Sequence, residues 1–137
     1  FADLKQLVAE VLDDANCGPR ERLRRYLDLI TDRLVAAEFT HGCLIGDFSL
    51  EAAPQSEMLR TRLAEIFAEW RSPFAACIAE GQTTGEIAAT FAPEDLADFL
   101  LSSWEGAILR MKVERNAEPL ERFKRIAFAT MFKEPCP

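Results

Sequence analysis

Apolar residues recur at spacings of three and four along most of the chain, and the segment Glu94–Arg115 shows the pattern most fully. Leu96, Leu100, Trp104, Ala107, Ile108 and Met111 form one stripe. Pro93 suits a first helical turn, where its missing N–H is not needed. Glu94, Asp95 and Asp98 match the positive end of the helix dipole, and Lys112 and Arg115 match the negative end. Phe99, Leu109 and Val113 fall on the opposite side of the wheel, and Ser102, Ser103, Gly106 and Ala107 are small enough for a second backbone to come near. A helix apolar over most of its circumference must be covered on two sides. The pattern therefore predicts a second copy of the chain, the alternative being a central helix wrapped by its own chain.

The same periodicity predicts helices over 1–15, with Leu4, Leu7, Val8, Val11 and Leu12 on one face, and from Pro19 to about Thr40, with Leu23, Tyr26, Leu27, Ile30, Leu34 and Ala37 buried. Arg20, Arg22, Arg24 and Arg25 crowd the start of the second helix and are expected on a solvated face with acidic neighbours rather than on phosphate. The segment 41–51, with glycines on either side of an apolar pair, reads as a short helix or a tight turn. From Gln55 to Glu80, Leu59, Leu63, Ile66, Phe67, Trp70, Phe74, Cys77 and Ile78 make a long stripe, with a kink expected just before Pro73. A polar connector, Gly81–Ala92, is expected to be anchored by Ile87 and Phe91. Pro119 opens a last helix with Leu120, Phe123, Ile126, Ala127, Thr130 and Met131 inward. No strand pattern occurs, so the predicted class is all-α.

The 137 residues are enough for one domain with a real core, and the chain opens inside a helical pattern, as the remainder of something longer would. No apolar run is long enough to cross a membrane. A net charge of −7 disfavours nucleic-acid binding by this segment alone. The four cysteines form no C-x-x-C pair and read as reduced thiols in a cytoplasm. One histidine leaves no cluster for a metal. No phosphate loop, H-E-x-x-H or G-x-S-x-G is present, so neither an enzyme nor a cofactor is expected.

What remains is a candidate ligand site. Phe67, Trp70, Phe74 and Trp104 lie on two helices expected to pack together, a composition found both in apolar pockets and in plain cores. His41, Cys43, Glu105 and Lys112 are the polar candidates around it. Lys112 can equally reach out to water. Cys43 beside glycines is either a reactive thiol or an inert buried one.

Several stretches resemble the TetR family of transcriptional regulators. Phe1, Leu4, Lys5 and Leu7 resemble the junction after that family's DNA-binding headpiece. Gly42-Cys43-Leu44-Ile45-Gly46-Asp47-x-x-x-Glu51 is similar to the G-C-L-I-G-N-x-x-x-E signature of one branch, with Asp47 where that branch has Asn. Trp104-Glu105-Gly106-Ala107-Ile108-Leu109-Arg110-Met111-Lys112 and Glu118-Pro119-Leu120-Glu121 resemble its dimer helix and the turn that follows.

The resemblance implies a C-terminal effector-binding and dimerisation domain over 1–137. Its homodimer would be a four-helix bundle of the last two helices from each copy, built on Phe99, Ser102, Ser103, Gly106, Leu109, Val113, Phe123 and Ala127. It implies a small-molecule inducer held by His41, Cys43, Phe67, Trp70, Phe74, Trp104, Glu105 and Lys112. Operator DNA would be met only through an N-terminal helix-turn-helix absent from these residues. It also implies a second possibility, an electrophile or oxidant sensor at Cys43 with Lys112 supporting its thiolate. A helical dimerisation module without a ligand is the remaining alternative.

Overall fold

The computed structural model describes residues 2–40, 51 and 54–133, with side chains from residue 6 onward. Its helices are α1 (Ala2–Leu12), α2 (Pro19–Ala36), α3 (Glu57–Thr84), α4 (Pro93–Glu114) and α5 (Glu118–Thr130). The described residues contain no strand, and one isolated antiparallel bridge joins Ile87 to Phe132. The all-α reading holds, and no described helix is long and apolar enough to cross a membrane.

Local chemistry sets the boundaries. Proline opens α2, α4 and α5. Ser56 caps α3, its hydroxyl accepting from the Leu59 amide at 3.3 Å. At the far end Gly85 takes φ +83°, the left-handed turn that closes a helix without a Cβ clash. α3 thus runs to Thr84, past the expected end at Glu80, and carries Pro73 in its interior. α2 stops at Ala36, short of the expected Thr40, because Glu38 and Phe39 turn to φ 56° and 60° and the Phe39 amide donates back to the Leu34 carbonyl.

α3 packs mainly on α4, and α4 on α5; α1 and α2 lie together against α3, and α2 also reaches α5. Phe74 and Trp104 are essentially fully buried in the shared core, with Tyr26, Leu23, Leu27, Ile78, Met111 and Leu120. The connector between α3 and α4 is anchored by Ile87, as expected. Phe91, the other expected anchor, is exposed, because Gln82 holds that loop by its backbone: Nε2 donates to the carbonyls of Ala88 and Phe91. The inward face of α5 is also turned from the expected one. Ile126 and Thr130 face out, and Lys124 and Phe128 are buried with Leu120 and Ala127. Lys124 can sit there because its ammonium reaches Asp28 and Glu121, each at 2.9 Å.

Candidate functional site

Leu63, Phe67, Trp70, Phe74 and Ile78 follow one another along a face of α3, and all but Phe67 are buried. Arg71 pairs with Asp98 at 3.0 Å, so Trp70 sits at the level of the first turns of α4. Trp104 lies roughly 9 Å further along that helix at 1.5 Å per residue. The expected aromatic residues share one core but pair separately. Trp70 stacks with Phe67 at 6.3 Å, Phe74 meets Tyr26 edge-on at 4.9 Å, and Trp104 leans on Phe123 at 5.3 Å.

Trp70 has one further property. The residue is 7% exposed, and its indole Nε1 is buried with no acceptor among the described residues. An unmade buried hydrogen bond costs about 1–3 kcal/mol.

Glu105 and Lys112 share a face of α4, each half-buried and each already engaged in an interaction. His41 and Cys43 lie outside the described residues. No group of His, Cys, Asp or Glu suited to a metal occurs among the described residues.

The outer side of α4 is the second candidate surface. Phe99, Leu109 and Val113 are 65%, 50% and 76% exposed, and Ser102 and Gly106 lie between them in the open. A Cβ added at Gly106 would meet nothing within 4 Å. Ser103 is half-buried. On α5 the expected interface residues Phe123 and Ala127 turn toward the chain's own core, Phe123 half-buried on Trp104 and Ala127 buried. Ile126, expected inward, is the large apolar side chain of α5 that lies open, at 57% exposure.

The arginine cluster differs most from expectation. Arg22 is buried, not solvated. Its two terminal nitrogens grip Glu80 at 2.8 and 2.7 Å, Nε donates to the Cys17 carbonyl at 2.7 Å, and one terminal nitrogen also reaches the Leu12 carbonyl. One guanidinium thus ties the end of α1 and the α1–α2 turn to α3. The pairing holds the Glu80 carboxyl below its usual range and raises Arg22 further. The signal for this was present: Arg22 lies between Pro19 and Tyr26 on the buried stripe of α2, where a charge needs a partner. Arg24 and Arg20 lie over the Phe128 ring, 4.1 and 5.7 Å from its centroid, and Arg25 pairs with Asp14 at 2.9 Å. Among the other cysteines, Cys17 and Cys77 are free thiols, and burial pushes Cys77 up to about 11.

Residues 19–127 match the family model described as the tetracyclin repressor-like C-terminal domain. The chain belongs to this family. It is 47% identical over 131 residues to the HTH-type transcriptional repressor DhaR of Mycobacterium sp. (strain GP1), covering 96% of this chain and 64% of that protein. It is 31% identical over 120 residues to the transcriptional regulator AcuR of Cereibacter sphaeroides, covering 88% of this chain and 55% of that protein. A crystal structure of regulatory protein TetR from Rhodobacter sphaeroides has the same fold, with a TM-score of 0.89 at 28% identity, over 95% of this chain and 69% of that one. The TetR-type domain thus spans less than two thirds of the length of the curated relatives it matches.

Proposed function

We propose that this TetR-type domain is the effector-binding and dimerisation part of a cytoplasmic one-component transcriptional repressor. The observation that carries the reading is the match of residues 19–127 to a repressor C-terminal domain. The names of the two curated relatives, one a repressor and one a regulator, support it. The open apolar stripe Phe99–Leu109–Val113 on α4, joined by Ile126 of α5, supports pairing with a second copy. Isologous twofold pairing would suit a palindromic operator, read by a helix-turn-helix outside these residues. With a net charge of −7, the domain itself is the regulatory part and not the DNA-binding part.

The effector site lies on the aromatic face of α3 against α4, around Phe67, Trp70, Phe74 and Trp104, with Glu105 and Lys112 for a polar end. An effector shifts the repressor by binding its two states with different affinity, and the coupling to DNA is reciprocal. The Arg22–Glu80 clamp gives α3 a direct hold on the end of α1. Thermal unfolding of the domain against a panel of small apolar and aromatic compounds tests the reading. A binder present at about a hundred times its Kd raises stability by about 2.7 kcal/mol. A panel without a single saturable stabiliser, together with native mass spectrometry showing no molecule carried through purification, contradicts an effector role.

A further inference from the structure

We propose that the effector is a small molecule with an aromatic or alkyl body and a hydrogen-bond acceptor, read by the indole N–H of Trp70. The inference rests on the effector-binding reading above and adds the chemistry that the site selects. A tryptophan side chain has one polar group, and that group only donates. In Trp70 it is shut away from solvent with no acceptor among the described residues. A phenylalanine there would keep much of the apolar contact without the orphaned donor. An acceptor brought by a guest would satisfy this donor. Its setting agrees with such a guest: Phe67 is stacked on the indole and only half-buried, Phe74 follows one turn later, and the Arg71–Asp98 pair holds α3 to α4 beside it. A carbonyl, carboxylate or ether oxygen meets the requirement, and a pure hydrocarbon does not. A site with a buried donor discriminates against a ligand that leaves the donor unmade.

The probes are acetophenone and its isostere α-methylstyrene, which has a methylene where the ketone has oxygen. Each is titrated into the ¹⁵N-labelled chain while the indole N–H signals are followed by NMR. The chain has two tryptophans, and the Trp70 signal is identified by its loss in Trp70→Phe. Acetophenone is expected to move the Trp70 indole proton downfield and to bind roughly tenfold more tightly than α-methylstyrene. In Trp70→Phe that preference disappears. Equal affinities in the wild-type chain, or a preference that survives Trp70→Phe, overturn the inference and leave the effector reading standing. Neither probe binding at millimolar concentration overturns the inference, and the compound panel decides the effector reading separately. The wild-type affinity ratio decides the matter even if Trp70→Phe does not fold.

Discussion

Two helix ends use the left-handed region with different residues. Gly85 closes α3 at φ +83°, and Arg115 closes α4 at φ 58°. A side chain in that region costs about 1–2 kcal/mol. Gly85→Ala is therefore expected to destabilise the domain by about 1 kcal/mol, and Arg115→Gly to stabilise it by up to about 1 kcal/mol, both read from urea midpoints at unchanged slope.

Ionisable residues give an acid limb. Glu80 is held low by the Arg22 hydrogen bonds, and Asp14 by the Asn16 amide and then by Arg25. A lowered carboxyl contributes stability above its unfolded value and loses it as pH falls through its folded value. The urea midpoint should hold from neutrality to about pH 5 and fall below about pH 4. In Glu80→Gln the fall should be shallower; an unchanged profile contradicts the pairing. Cys77, raised to about 11 and buried, should resist iodoacetamide at pH 7 while half-buried Cys17 labels before it, as followed by mass spectrometry.

At the scale of elements, the Arg22 clamp joins three segments of the chain. It satisfies the Leu12 carbonyl at the end of α1, the Cys17 carbonyl in the turn and the Glu80 carboxylate on α3. Arg22→Met keeps much of the buried stem and leaves these acceptors unmatched, at a cost of about 2–4 kcal/mol. Hydrogen exchange should then speed up first in α1 and the α1–α2 turn; uniform speeding across all helices would argue against a local clamp.

The clamp also marks the limit of what periodicity reveals. The helices were legible because their apolar spacing follows 3.6 residues per turn through Leu23–Leu34, Leu63–Ile78 and Leu100–Met111. Charged positions on buried helix faces are not legible in the same way. Arg22 and Lys124 look solvated by residue type, but they are buried because carboxylates on other turns and helices meet them. Lys124 and Phe128 in turn rotate α5, so that Ile126 faces out. The end of α2 was not legible because Glu38 and Phe39 adopt positive φ without a glycine to announce it. At the aromatic face, the sequence pointed to Trp70 as an oily surface; that its N–H is left over depends on what the fold places around it, and spacing does not show this.

For the whole molecule, the outward stripe of α4 is legible in the sequence, since Phe99, Leu109 and Val113 sit opposite the core stripe, and all three are exposed in the single chain. Large apolar side chains grouped along one helix, with open space at Gly106, support the proposed pairing with a partner. The family's resemblance and the stripe agree on a second copy as that partner. The most direct measurement is sedimentation equilibrium of this chain at micromolar concentration, alone and as Val113→Glu. The account predicts twice the 15.4 kDa of one chain for the wild type, and one chain for Val113→Glu with its helical content intact. A wild-type chain that sediments as a single folded copy at that concentration contradicts it.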